Sequence, residues 1–160
     1  RIVRILRRFG ASVTTTKDSV TVSSQKLRGI VINAADIPDI VPVLAVVASS
    51  AEGITKITRA GRLRMKESDR LHSVTTMLKT LGTDITEYPD KLIINGTGTL
   101  KGGTTDSFGD HRIAMSAACA SVICTDTVTV KDAQCVNKSY PAFWNDFEMM
   151  GGKIERQDTV

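Results

Sequence analysis

Leu78-Lys79-Thr80-Leu81-Gly82-Thr83-Asp84-Ile85 joins the end of an amphipathic helix, a glycine and the start of a strand. The same pattern returns at Leu6-Arg7-Arg8-Phe9-Gly10-Ala11-Ser12-Val13 and at Phe147-Glu148-Met149-Met150-Gly151-Gly152-Lys153-Ile154. The three glycines lie 72 and 69 residues apart, and self-similarity at a fixed period marks stacked supersecondary units. Upstream of Gly82, Leu71, Val74, Leu78 and Leu81 recur at spacings of three and four, which gives that helix a single core stripe. Residues 39–51 and 110–124 are different, because they read as almost wholly apolar helices that must be buried on all sides. Short runs rich in Val, Thr and Ile fill the intervals: 19–23 and 91–95 after the glycines, 29–32 and 97–101 next, 55–58 and 127–131 after the apolar helices. The fold class is therefore α/β, built from repeated βαβαββ-like modules with buried helices inside and sheets outside. About two such modules in shifted register occupy residues 1–160.

A chain of 160 residues with 41% hydrophobic content suffices for one domain with its own core. Its longest apolar runs, 40–48 and 113–124, fall short of the roughly 20 residues a membrane span needs, so no membrane partner is expected. Arg1 opens directly into a helical pattern closed by Gly10, and the chain is expected to continue upstream of it. Cys119, Cys124 and Cys135 are odd in number and lack C-x-x-C spacing, which predicts neither a disulfide framework nor a metal site and fits a reducing cytoplasm. Cys119 and Cys124 read as small buried hydrophobes of an apolar helix. A net charge of +4 points to anionic partners, either phosphorylated metabolites or nucleic acid. Arg1, Arg4, Arg7 and Arg8 form a cationic helix surface that would serve the second, but 4% aromatic residues supply a poor platform for stacking bases.

The repeat also aligns polar residues. Asp39 and Asp110 are 71 apart, and Lys66 and Lys138 are 72 apart, so each pair holds matching places in successive modules. Arg112 stands in the first turn of an apolar helix, Arg70 follows two candidate N-caps, Ser68 and Asp69, and Lys138 precedes the candidate cap Ser139 with Pro141 in the next turn. Cations at helix N-termini oppose the helix dipole by about 0.3–1 kcal/mol each. Singly, each reads as a solvated or locally paired charge; three in register read as an anion site, since helix N-termini and Lys or Arg together bind phosphate and carboxylate. Asp110 reads as an N-cap, and Asp39 as a carboxylate at a helix start. Glu67, between Lys66 and Arg70, is either an ion-pair spacer or a general acid/base; His111 reads as an orienting or packing residue and His72 as a helix-face residue.

Lys66-Glu67-Ser68-Asp69-Arg70-Leu71, Gly109-Asp110-His111-Arg112-Ile113-Ala114-Met115 and Ile37-Pro38-Asp39 resemble three signatures of the EPSP synthase family, in its order and spacing. Lys138 before Ser139-Tyr140-Pro141 resembles a fourth, and the similarity runs along essentially the whole chain, as the C-terminal part of that family. The resemblance implies an enolpyruvyl transferase-like fold of two domains with substrates between them. It implies addition–elimination between phosphoenolpyruvate and shikimate 3-phosphate, in the pathway to aromatic amino acids, with no metal or organic cofactor. By resemblance, Arg70, Arg112 and Lys138 bind phosphoenolpyruvate, and Asp39 and Lys66 contact shikimate 3-phosphate. Asp39 accepts the proton of the attacking hydroxyl, and Glu67 transfers a proton at the methylene carbon. Glyphosate enters as a candidate inhibitor. The family's N-terminal domain, with its own substrate-binding residues, is absent from this chain, so the chain alone is expected to be inactive. Arg62 stands where some members carry asparagine and receives no role. The related transferase acting on a UDP-amino sugar is the alternative enzyme, disfavoured by the Lys-Glu-Ser-Asp-Arg and Asp-His-Arg pair and by the lack of a reactive loop cysteine.

Overall fold

Helix α1, Ile2–Phe9, forms because Ile5 and Phe9 fall four apart on one face and are buried there, while the arginines take the other. Gly10 ends it in the left-handed conformation at φ 107°, and the matching Gly82 and Gly151 adopt φ 99° and 98°. A Cβ would strain all three positions, which is why glycine recurs there. The computed structural model describes residues 1–23 and 25–157, so residue 24 and residues 158–160 of the expected modules lie outside it.

After α1 the chain makes an antiparallel hairpin, β1 (Ser12–Thr15) with β2 (Val20–Ser23). Next come β3 (Val31–Asn33), a 3-10 turn (Pro38–Ile40), α2 (Val41–Ser50), β4 (Gly53–Thr58), a 3-10 helix (Gly61–Met65), α3 (Arg70–Thr80), β5 (Asp84–Glu87) and β6 (Leu92–Gly96). These strands form one sheet in the order β3-β4-β6-β5, with β3 parallel to β4 and the other pairs antiparallel. The stretch is a whole βαβαββ module. A further β7 (Gly103–Asp106), α4 (His111–Ser121), β8 (Val128–Lys131), 3-10 helix (Ala133–Lys138) and α5 (Phe143–Met149) repeat the βαβα order of its first part, with β7 parallel to β8. The αββ at the start matches a module's end.

Alternation along β4 sends Thr55 and Ile57 into the core and Ile54 and Lys56 to solvent, so the sheet lies on the outside. Helices α2 and α4 pack against each other in the centre, where Leu44, Ala45 and Ala48 meet a helix burying Ile113, Ala117 and Ala120. Their alanines permit close approach. The stripe on α3 is buried as expected at Leu71, Val74, Leu78 and Leu81, and Arg70, Ser73, Thr75 and Met77 are buried with it, so this face is wider than a single stripe. Among the described residues, no helix is long and apolar enough to cross a membrane.

Three expectations are corrected. The strand expected at 97–101 forms at Gly103–Asp106, because the parallel partner Val128–Lys131 selects the register, and Leu100 makes only an isolated bridge to Cys124. Residues 152–154 join no ladder among the described residues, for lack of a partner strand. Cys119 and Cys124 are half-buried rather than fully buried, and Cys124 lies outside the helix expected to hold it, because α4 ends at Ser121; burial still pushes both thiols up, and Asp126 adds to this at Cys124, which keeps them protonated. The arginines of α1 are largely committed to the fold: Arg7 donates to the Val13 carbonyl at 2.9 and 2.6 Å, Arg8 to that of Val31 at 2.7 Å, and Arg1 to that of Asp36 at 3.2 Å.

Candidate active site

Three chain segments bring their charges together at the starts of α2, α3 and α4. Asp39 lies in the 3-10 turn before α2, where Pro38 presets the backbone. Residues 66–69 run from the end of a 3-10 helix to the N-cap of α3, where Asp69 accepts the His72 N–H at 3.2 Å. Asp110 caps α4, accepting the Arg112 N–H at 3.0 Å, and so places His111 and Arg112 in the first turn.

Arg70 links the three. Its side chain is 3% exposed, and its Nε donates to Asp110 Oδ2 at 2.7 Å, its Nη2 to Asp110 Oδ1 at 3.3 Å and its Nη1 to Asp39 Oδ1 at 2.8 Å. A cation at the start of α3 is thus neutralised by a fully buried carboxylate from α4, which outweighs the unfavourable helix dipole. Ser68 adds a bond to Asp110 Oδ2 at 3.1 Å and accepts one from Ser73 at 3.1 Å. Burial raises the Asp110 carboxyl, but Arg70, the Arg112 N–H and Ser68 together hold it below the usual carboxylate range.

Asp39 is more open. Its Oδ1 is 3.2 Å from Lys66 Nζ, 2.8 Å from Arg70 Nη1 and 4.0 Å from Arg112 Nε. Partial burial raises its carboxyl, and Lys66, Arg112 and Arg70 more than reverse this, leaving it lowered and ionised at neutral pH. Glu67 Oε2 stands 4.0 Å from Arg70 Nη2 and 2.8 Å from His111 Nδ1. The second distance is short, yet the approach is off the line of a hydrogen bond, and the buried Nδ1 has no aligned partner. Among the described residues, Glu67 is therefore the carboxylate of the cluster that no hydrogen bond holds.

Oxygens of Glu67 and Asp110 and a ring nitrogen of His111 lie within 4.8 Å of one another, a spacing that would suit a cation. Asp110 has no capacity left for one: Ser68, two nitrogens of Arg70 and the Arg112 N–H occupy the roughly four acceptor sites of a carboxylate. The neighbouring guanidinium would also repel a metal. The arrangement suits anions instead. A cleft of about 210 Å³ opens beside Asp39 and Arg112 and runs between α2 and α4 past Val43, Met115 and Cys119 to Phe143. A larger open hollow of about 480 Å³ lies at the other end of α2, but its charges are the exposed pair Lys26 and Glu52, 2.8 Å apart. The smaller cleft is the one that borders the charged cluster, through Asp39 and Arg112.

Of the residues expected to form the site, Asp39, Lys66, Glu67, Arg70 and Arg112 converge. Lys138 does not join them by any hydrogen bond or ion pair among the described residues; it is exposed at the end of the 3-10 helix Ala133–Lys138. Ser139 is not an N-cap. The Tyr140 N–H turns back to the Val136 carbonyl at 2.8 Å, and α5 starts only at Phe143, so Lys138 is not at a helix N-terminus. Arg62 is exposed. The partnership of Asp110 with Arg70 and the approach of His111 to Glu67 went unseen in the sequence, where Asp110 showed only its capping position.

Removing the Asp110 carboxylate would leave Arg70 buried beside an uncompensated gap. Asp110→Ala should cost the chain about 3–5 kcal/mol in urea unfolding, and a loss below about 1 kcal/mol would show that the pair does not hold the cluster. The sign with pH follows from the lowered carboxyl. Its stabilisation is complete above the unfolded value of about 3.9 and disappears as pH falls through the lower folded value. Acid unfolding should therefore set in below about pH 4, and Asp110→Asn should lack this part of the acid limb.

The family model for EPSP synthase (3-phosphoshikimate 1-carboxyvinyltransferase) matches residues 1–147. The 3-phosphoshikimate 1-carboxyvinyltransferase of Clostridium novyi (strain NT) is 47% identical over 154 residues, covering 96% of this chain and 35% of that protein. The corresponding protein of Clostridium kluyveri is 46% identical over 154 residues, with 96% and 36% covered. The chain thus spans about a third of the length of these relatives. Among solved structures, an EPSP synthase from Acinetobacter baumannii superposes with a TM-score of 0.83 at 30% identity over 94% of this chain and 38% of that one. The enolpyruvyl transferase NikO from Streptomyces tendae, at 22% identity and a TM-score of 0.80 over 98% of this chain and 36% of that one, shares the fold.

Proposed function

The chain belongs to the EPSP synthase family, and from that premise we propose that it forms the C-terminal part of an enzyme that transfers the enolpyruvyl group of phosphoenolpyruvate to shikimate 3-phosphate and releases phosphate. The observation that carries this reading is the sharing of Asp39 Oδ1 among Lys66, Arg70 and Arg112 at the mouth of a cleft. Those cations are available to a phosphate or carboxylate that displaces the carboxylate, and dianionic groups bind well to Arg and Lys beside helix N-termini.

In this reading Arg70 and Arg112 hold phosphoenolpyruvate, Lys66 holds the sugar-acid phosphate, and Lys138 reaches phosphoenolpyruvate from the second module. Asp39 takes the proton from the attacking hydroxyl. Its lowered carboxyl makes it a weak base while the cations surround it. An arriving phosphate draws those cations away, so substrate binding itself raises the basicity of Asp39 towards the range a general base needs. Glu67, held by no hydrogen bond, moves the proton at the methylene carbon, which is gained on addition and lost on elimination. The remainder of the enzyme supplies the facing wall of the cleft.

Phosphate release by the full-length enzyme tests the reading, with shikimate 3-phosphate and UDP-N-acetylglucosamine compared as acceptors of the group from phosphoenolpyruvate. Turnover with the first and none with the second is expected. The reverse would place the chain with the amino-sugar transferases.

A further inference from the structure

Arg64 is a strongly anchored cation near the cluster that the proposed chemistry leaves unused. It sits in the 3-10 helix Gly61–Met65, and its side chain is only 31% exposed. Its guanidinium reaches four acceptors. Nε donates to the Pro89 carbonyl at 2.9 Å and Nη2 to that of Tyr88 at 2.8 Å. Nη1 donates to Asp69 Oδ2 at 2.8 Å and lies 2.9 Å from Glu87 Oε1. Asp69 is the N-cap of α3, bound through its other oxygen to the His72 N–H. One side chain therefore grips both the carboxylate that starts α3 and the turn between β5 and β6.

That turn is a firm support. The Tyr88 N–H bonds to the Lys91 carbonyl at 2.9 Å, and the Ala60 N–H bonds to the Asp90 carbonyl at 2.7 Å, so the start of the 3-10 helix is tied to the same place. The bond from Arg64 to Asp69 closes the six-residue stretch 64–69, and Lys66 and Glu67 lie inside it. Inside this stretch, Ser68 is tied to Asp110 at 3.1 Å and Lys66 to Asp39 at 3.2 Å, while the backbone of Lys66 and Glu67 is held between the two ends that Arg64 fastens.

We propose that Arg64 is a positioning residue, which touches no substrate and sets the places of Lys66, Glu67 and Arg70 by fastening residues 64–69 to the β5–β6 turn. The inference rests on the reading that residues 66–70 work on substrate. A planar fork with five donors can serve two carboxylates and two carbonyls at once; the single ammonium of lysine has three donors at one point and cannot span them. Catalytic groups need placement within about 0.5 Å, and a misplacement of about 1 Å can cost about 100-fold in rate. A partly exposed ion-pair network contributes modestly to stability by comparison.

The test uses Arg64→Ala, Arg64→Lys and Lys66→Ala in the full-length enzyme. Three quantities are read: turnover per folded molecule, the unfolding midpoint, and amide hydrogen exchange along residues 60–75. Both Arg64 variants should lose at least about tenfold in kcat while still fully folded, with the midpoint lowered by less than about 4 °C. Exchange should quicken at residues 66–70 and stay unchanged in α4. A merely structural brace would lower the folded fraction and leave kcat per folded molecule at the wild-type value, which would overturn the proposal. So would Arg64→Lys with wild-type turnover. Loss of activity in Lys66→Ala without loss in Arg64→Ala would sink this inference alone, whereas wild-type turnover in Lys66→Ala would sink the reading beneath it, and the proposal with it.

Discussion

The 160-residue chain on its own should release phosphate from phosphoenolpyruvate and shikimate 3-phosphate at close to the background rate. The reason is geometric. Lys66, Arg70 and Arg112 gather around Asp39, which lines the mouth of the cleft with Arg112, and in the free chain they are occupied with that carboxylate. In the proposed reading a ligand must displace that carboxylate, and the facing wall comes from the remainder of the enzyme. Holding two reactants in attacking geometry can contribute about 7–11 kcal/mol towards an enzymatic barrier, and a cleft without its facing wall would forfeit much of it. Weak phosphoenolpyruvate binding should survive, so titration calorimetry with the chain should give a dissociation constant well above that of the full-length enzyme. Turnover by the chain at the rate of the full-length enzyme would show that the facing wall is unnecessary.

Asp39→Ala and Glu67→Ala in the full-length enzyme should each lower turnover by about 100-fold or more, the range of general acid/base catalysis. The two should differ in KM. Asp39 competes with anionic substrate for three cations, so its removal should leave the KM for phosphoenolpyruvate unchanged or lower it while kcat falls. Glu67 has no such competing role: its nearest cation, Arg70, stays engaged with Asp110 whether or not Glu67 is present. Glu67→Gln keeps the shape and cannot carry the proton, and it should fall as far as Glu67→Ala. A Gln variant near wild type would demote Glu67 to a spacer.

How much of this was legible in the sequence depended on range. Gly10, Gly82 and Gly151 announced the helix ends because a left-handed backbone is a local demand that glycine meets, and the apolar helices declared their burial through the absence of a polar face. The cap at Asp110 was equally local, two residues from the N–H it accepts. Its second partner was not: Arg70 lies 40 residues away, and Asp39 lies 31 from Arg70, distances over which only the folded core sets the pairing. The grip of Arg64 on Tyr88 and Pro89 was hidden for the same reason, since its acceptors are backbone carbonyls 24 and 25 residues away that any residue type would provide. Ser139 misled because a serine two residues before proline resembles a helix start, whereas the backbone there closes the preceding turn instead. Strand β7 slipped from its expected place because a short parallel strand is chosen by its partner.

Whether this charged cluster does chemistry is open to a direct measurement. The measurement is phosphate release from phosphoenolpyruvate and shikimate 3-phosphate by the full-length enzyme, wild type beside Asp39→Ala and Glu67→Ala, each confirmed folded. Losses of about 100-fold or more in both variants are the predicted result; turnover at the wild-type rate in both would contradict it, leaving the cluster a structural ion-pair network.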